Sequence, residues 1–289
     1  MAIALVWAFA PAHAQQGTLL LSELLFQPRS GEAEYVELYN AGNDTVQLAG
    51  FHIVRVLHDS LTTHYPLPSL LLAPHAYVAL SKDIGSVSAC YPLAPGALLL
   101  ECQLPTYPND GGSAVLARAD STVVDRFDYS PALHSRLLRN KAGVSLERRR
   151  FDRPTNEASN WFSASSTSGY GTPGAANSQS TEWLAEESAF ELSASLVSPD
   201  GDGYQDELEI GYRLDDGDLA ARIEVFDAHG QRVRRLLNNA LLGTHGSLVW
   251  DGRGENGSRL PHGQYVLLII LYDTSGTRQT IRRAVAVVG

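Results

Sequence analysis

Residues 34–57 read EYVELYNAGNDTVQLAGFHIVRVL. Two apolar-rich runs, 34–40 and 51–57, flank a stretch of Gly, Asn and Asp. Within Tyr35-Val36-Glu37-Leu38-Tyr39 one face is apolar and the other carries Glu37. That is the pattern of a half-buried strand in a sandwich. Helical periodicity is scarce throughout the chain, so this pair of runs sets the expectation of an all-β fold.

The same pattern continues outward. Strands are predicted at 18–25, 77–81, 113–119, 122–127 and 144–149, with Asp120-Ser121 as a two-residue hairpin turn. Residues 152–182 are rich in Ser, Thr, Gly, Asn and Pro and read as irregular chain. They also contain Trp161, Phe162 and Tyr170, which predicts that this tail is pinned against a domain surface. Strand patterns resume at 190–196, 207–214, 220–227, 232–237, 246–250, 263–272 and 278–288. Ala228-His229-Gly230-Gln231 and Asp273-Thr274-Ser275-Gly276 are turns between them. Short strands at this density fit immunoglobulin-like sandwiches, so the expected fold is all-β, two Ig-like β-sandwich domains in tandem.

The 289 residues allow about two domains. An apolar content of 44% supports ordinary cores, and the net charge is −10. Such a surface repels phosphate backbones, and no nucleic-acid partner is expected. The one basic cluster, Glu147-Arg148-Arg149-Arg150, is short; it reads as arginines that alternate at a strand end and pair with nearby acids, with a phosphate site as the alternative. At the N-terminus, residues 2–10 are apolar, Pro11 breaks the run, and Ala12-His13-Ala14 has the form of a signal-peptidase site. Residues 1–14 therefore read as a signal peptide, truncated because it lacks a basic start. The run is far shorter than the ~20 residues of a bilayer span. Cys90 and Cys102 are the two cysteines. In an exported chain they predict a disulfide, worth about 3 kcal/mol by the chain-entropy estimate; two buried thiols are the alternative.

Enzyme motifs are missing. Gly252-Arg253-Gly254-Glu255-Asn256-Gly257 matches a dinucleotide fingerprint in letters, but Pro261 and Gly263 follow where a helix must start. His52, His58 and His64 carry no metal spacing. Glu23 and Glu37 could serve as acid and base if adjacent across a sheet, which sequence cannot show. No catalytic residue and no cofactor is expected, with one exception. SPDGDGYQDEL, residues 198–208, sets Asp200, Asp202 and Asp206 close together between glycines. The three match positions 1, 3 and 7 of an EF-hand loop. The match then fails at Gln205 and Gly211. Two readings stay open: a weak non-helical calcium loop, or a turn whose aspartates cap their own backbone with Gly201 and Gly203 at positive φ.

Several of these motifs resemble known families. The run from Glu23 to Pro28, then Glu34 to Asn40 and Leu48 to Phe51, resembles the start of a lamin-tail domain of the secreted bacterial type. Pro108-Asn109-Asp110-Gly111-Gly112, Val124 to Tyr129, His134, Gly143 to Arg148, Asn160-Trp161 and Thr172 to Ser178 fit its later signature. The resemblance implies a sandwich over 18–178. After a linker at 179–189, residues 190–289 resemble the Ig-like C-terminal modules of exported bacterial proteins. These include the flagellar hook-capping Ig domain and the sorting domains of the type IX secretion route. The resemblance implies a non-catalytic binding module, located outside the cell or on its outer surface, with a surface protein or polysaccharide as partner. Export machinery would be engaged through the C-terminal module. A structural or adhesive envelope protein is the alternative, and a secreted hydrolase or its accessory a more distant one. Tyr107 and Trp183 have two open readings: exposed contacts for glycan or protein, or cover for their own domain.

Overall fold

The structure, a computed structural model, describes residues 18–181, 184–185 and 187–288. The expected signal peptide at 1–14 and Trp183 lie outside the described residues. Along the first half run β1 (Leu19–Leu25), β2 (Tyr35–Asn40), β3 (Val46–Gln47), β4 (Phe51–Leu57), β5 (Ser60–Pro66), β6 (Leu71–Leu72) and β7 (Tyr77–Ser81). Helix α1 (Ile84–Cys90), β8 (Leu99–Glu101), β9 (Gly112–Arg118), β10 (Val123–Tyr129), β11 (Leu146–Arg148) and β12 (Trp161–Ser163) follow. A six-stranded sheet in the order β12-β11-β1-β2-β7-β8 faces a four-stranded sheet, β10-β9-β4-β5, and β3 pairs with β6. Leu24, Val36, Leu38, Val78 and Leu80 on one side and Ile53, Leu116 and Phe127 on the other fill the space between them. Trp161 stacks on Phe127 at 3.5 Å between ring centroids.

Every residue of β1 is buried, so both faces of this central strand are covered. The register of β1 against β2 shifts between Leu21 and Glu23. This bulge resets the alternation: Leu19 and Leu21 point into the main core before it, Leu24 and Phe26 after it. Leu25 joins a second apolar layer on the outer face with Tyr35, Ala79, Val87 of α1 and Tyr91. On the β11 side the ladder covers only Glu23 and Leu24. The Leu21 amide instead donates to Asp125 at 2.9 Å, and the Arg148 guanidinium donates to the Leu21 carbonyl at 3.3 Å. Arg148 and Asp125 are themselves paired at 3.1 Å, with the Arg148 side chain fully buried. This ion pair serves the bulged backbone of β1.

The second half holds β13 (Ala189–Leu192), β14 (Leu196–Val197), β15 (Leu208–Arg213), β16 (Leu219–Phe226), β17 (Arg232–Leu242), β18 (His245–Trp250), β19 (Gly263–Asp273) and β20 (Gly276–Val287). Sheets β13-β15-β18 and β14-β20-β19-β16-β17 face each other. In β15, Leu208, Ile210 and Tyr212 point inward while Glu209 and Arg213 point out, the alternation of a sheet with one covered face. They meet Ile223, Leu267, Ile269, Val285 and Trp250 in a single core. The chain is thus all-β, two sandwiches in tandem.

Chain 164–181 is not free linker. Ser166 donates to the Leu241 carbonyl at 2.6 Å, and the Thr167 hydroxyl lies 2.6 Å from that of Tyr212. The Thr244 amide donates to the Ser178 carbonyl at 2.9 Å. Arg149 pairs with Asp216 at 3.5 Å across the same boundary. Gly243 makes this approach feasible, because a Cβ there would lie 2.2 Å from the Ser178 oxygen. The segment expected as linker from residue 179 therefore begins in a buried seam, with Asn177, Ser178 and Gln179 all buried.

Candidate functional site

The sheet register places three glutamates side by side. Glu23 on β1 stands opposite Glu37 on β2 and opposite Glu147 on β11. All three are fully buried. They lie on the outer face of the six-stranded sheet, beneath the seam formed by 170–179. Glu23 accepts from the Tyr35 hydroxyl at 2.6 Å, from Ser145, and from the Thr172 amide at 3.0 Å and hydroxyl at 3.0 Å. Glu147 accepts from the Thr172 hydroxyl at 3.0 Å, the Ser178 hydroxyl at 2.8 Å and the Gln179 amide at 2.9 Å. Glu37 accepts from the Gly174 amide at 2.7 Å, and its Oε1 is buried without a partner. Gly174 sits at φ +80, where a Cβ would also strike the Leu98 backbone at 2.7 Å.

Desolvation raises the carboxyl pKa of all three above the ordinary value, and for Glu37 and Glu147 the neighbouring Glu23 charge adds to it. Glu147 is pushed up to about 8. Glu23 has the most donors to an ionised form, and Glu37 the fewest. Donors thus support an ionised carboxylate best at Glu23 and least at Glu37. The adjacency of Glu23 and Glu37 that the sequence could not show is present. With all three side chains sealed, however, no substrate reaches them while 170–179 stays in place. What the cluster does chemically is accept hydrogen bonds from this segment. Asn177 completes the attachment, donating to the backbone carbonyls of Ser22 at 3.0 Å and Arg148 at 2.8 Å.

Asp200, Asp202 and Asp206 do come together: one carboxylate oxygen from each lies within 4.8 Å of the others. Each oxygen set is already engaged by backbone. Asp206 accepts from the amides of Gly201 at 2.6 Å and Gly203 at 2.7 Å, Asp200 from Asp202 at 3.0 Å, and Asp202 from Tyr204 at 2.7 Å. Gly201 and Gly203 have φ of 86 and 88. The backbone bond from Asp202 holds the Asp200 carboxyl below its usual range. The loop is thus a self-capped turn that also presents three carboxylates to one point.

Cys90 and Cys102 do not pair; both thiols are free. The sheet keeps them apart. Cys90, at the end of α1, packs on the outer apolar layer, whereas Cys102 belongs to the main core between the sheets. Burial pushes the Cys102 thiol up to about 11, so it is unreactive at neutral pH. Of the two readings of Tyr107, the structure bears out cover for its own domain: it is 2% exposed and part of the main core. His134 is buried with Nδ1 2.8 Å from the Ser163 hydroxyl, and burial lowers its pKa to about 4. His52 and His64 meet edge to face at 5.4 Å across β4 and β5. The glycine run 252–257 turns between β18 and β19 and bridges Arg253 to Arg259, with no helix after it. In the basic cluster, Arg150 pairs with Asp152 at 2.6 Å, so all three arginines have acidic partners. Glu147 and the Arg148–Asp125 pair were not singled out by sequence as a site. The signal available was a charged pair inside the apolar run Val144-Ser145-Leu146-Glu147-Arg148.

Comparison with known proteins divides the chain in the same way. Residues 12–131 match the Lamin Tail Domain, and residues 191–285 match the CHU_C Type IX secretion signal domain. The first match ends before β11 and β12, which nevertheless complete the same sheet beside β1. No curated protein matches the chain. Among solved structures, dimeric latent PorU from Porphyromonas gingivalis is 10% identical, over 95% of this chain and 20% of that one, with a TM-score of 0.29. PorZ, an essential surface component of the type IX secretion system of the same organism, is 9% identical over 93% and 39%, at a TM-score of 0.28. Red sea bream transglutaminase is 12% identical over 94% and 31%, at 0.22. The chain spans well under half the length of each, and likenesses this distant carry no argument about function. The two family matches and the two sandwiches together identify a polypeptide that joins a lamin tail domain to a type IX secretion signal domain.

Proposed function

We propose that the chain is a non-catalytic exported protein. Its lamin-tail sandwich binds a partner outside the cell, and its second sandwich directs export and holds the protein at the outer surface. The carrying observation is the match of 191–285 to a type IX secretion signal domain. The sealing of the glutamate cluster and the burial of His134 support a binding role over a catalytic one. The test is localisation in a host with the type IX route, comparing the full chain with one ending at Thr181, so that Ser178 and Gln179 still satisfy Glu147. Retention of the shortened chain in the periplasm is expected. Equal release of both chains overturns the reading.

The hydrogen-bonded seam favours a second reading of the C-terminal module. Ser166, Thr167 and Ser178 all bond to it. A module docked this way serves as a lasting part of an envelope or adhesive protein, not as a tag removed on arrival. Intact mass of the exported form separates the two. A mass that includes residues 190–289 supports the docked module, and its loss supports a cleaved signal. Calcium at Asp200, Asp202 and Asp206 belongs to the same reading as a weak external site, with Kd on the order of 10⁻⁴–10⁻³ M. Calorimetric titration of the parent against Asp206→Asn tests it, and identical flat traces refute it.

A further inference from the structure

A cleft of about 930 Å³ lies at the boundary of the two sandwiches. One wall is the loop from Arg136 to Val144 with Arg29 and Tyr170. The other is formed by β16, the Asn238-Asn239 bend of β17, and Tyr272. Four arginines line it, Arg29, Arg136, Arg139 and Arg222, and no acidic residue does. This is unusual in a chain whose net charge is −10. Several arginines outside it are matched to carboxylates, as in Arg126–Asp128 at 2.7 Å, Arg235–Glu224 at 2.9 Å and Arg278–Asp215 at 2.6 Å. Arg136 and Arg139 are exposed and have no ion pair among the described residues. Arg29 is shared with Glu32 at 3.2 Å. Arg222 reaches Glu224 only at 3.8 Å; its guanidinium lies 5.8 Å from the Tyr272 ring centre, and its Nε is buried with no hydrogen-bond partner.

Guanidinium groups on facing walls of a concavity focus positive potential and present paired N–H donors suited to carboxylate, sulfate or phosphate oxygens. The volume is at the upper end of small-molecule sites, so it accommodates several linked rings and not a single ion. Tyr170 and Tyr272 offer ring surfaces, and Asn140, Asn238 and Asn239 offer amides to hydroxyl groups. Tyr170 and Asn239 are also held at positive φ, 73 and 50, an uncommon backbone state that recurs at binding sites. A densely charged nucleic acid, with about one charge per 1.7 Å of duplex, is opposed by the negative field of the rest of the molecule. A sugar polymer with one acidic group per residue or two is opposed less and uses the aromatic and amide groups as well.

We propose that this inter-sandwich cleft binds an acidic polysaccharide, with Arg136 and Arg139 as its principal anion contacts. This names the partner class for the binding role proposed above and rests on that role for its place outside the cell. Binding is measured in solution on the purified full chain, so a failed export test leaves it standing. Calorimetric titration uses polygalacturonate as a carboxylated probe and kappa-carrageenan as a sulfated one, with neutral dextran and a DNA duplex for comparison. Saturable binding of one or both acidic polymers is expected. In Arg136→Glu/Arg139→Glu it weakens by about tenfold or more, the scale of losing charged hydrogen bonds. Arg55→Glu/Arg259→Glu, the same charge change at exposed positions outside the cleft lining, leaves it unchanged. Equal weakening by the second pair, equal binding of neutral dextran, tighter binding of the DNA duplex, or no binding of either acidic polymer would each overturn the proposal.

Discussion

Glu147 receives three hydrogen bonds from chain 172–179, yet burial and the Glu23 charge still push its carboxyl up to about 8. A folded-state pKa above the unfolded value means that the folded chain binds more protons in between. The stabilisation is therefore complete below the unfolded value near 4.5 and is lost as pH rises toward 8. Thermal denaturation should show the melting temperature falling from pH 5 to pH 8.5 by an amount equivalent to a few kcal/mol. Glu147→Gln should lower stability at pH 5, since one acceptor oxygen is lost, and should flatten the slope. An unchanged slope would assign the pH dependence to other groups. Arg148 makes a different prediction. Removing it as Arg148→Ala leaves Asp125 charged and buried, at a cost of roughly 3–5 kcal/mol. Replacing both as Arg148→Met/Asp125→Leu should not restore the parent midpoint in urea, because the Leu21 amide and carbonyl lose their partners too. Full recovery would show that the pair matters only to itself.

At the scale of elements, the seam from 164 to 181 joins β1, β11 and the second sandwich. Gly243→Ala places a methyl group against the Ser178 carbonyl and should cost about 1–3 kcal/mol by overpacking. Calorimetry should then resolve two unfolding transitions where the parent shows one, with cleavage by a glutamate-specific endoproteinase speeding up at 182–187. A single unshifted transition would mean the seam does not couple the sandwiches. Strands 51–57, 77–81 and 263–272 were legible because alternation and turn residues marked both ends. The β4–β5 hairpin was not. Its turn is His58-Asp59, both at positive φ without a glycine, so the usual signal is missing. Helix α1 has one buried side chain, Val87, over seven residues, which is too little for a periodic pattern. Its start is a local device, the Asp83 carboxylate accepting from the Ser86 amide at 2.8 Å.

At the scale of the molecule, the tandem sandwiches were readable because each strand needs only its own pattern. The glutamate cluster was not readable as a unit, since Glu23 and Glu147 lie far apart in sequence and meet only through register. The same limit hid the separation of Cys90 from Cys102: closeness along the chain says nothing about which face of a sheet each thiol takes. The arginine cleft needs both sandwiches and the seam at once, so no local pattern announces it. One pairing described above has a consequence in time. β20 lies between β14 and β19 and supplies Ile281, Val285 and Val287 to the second core. Translation adds about 5–20 residues each second. Until β20 has left the ribosome, the core of the secretion signal domain is incomplete, although the first sandwich can already have formed. A product broken off anywhere upstream of Gly276 would therefore carry a finished first sandwich beside a second one left open along β14 and β19.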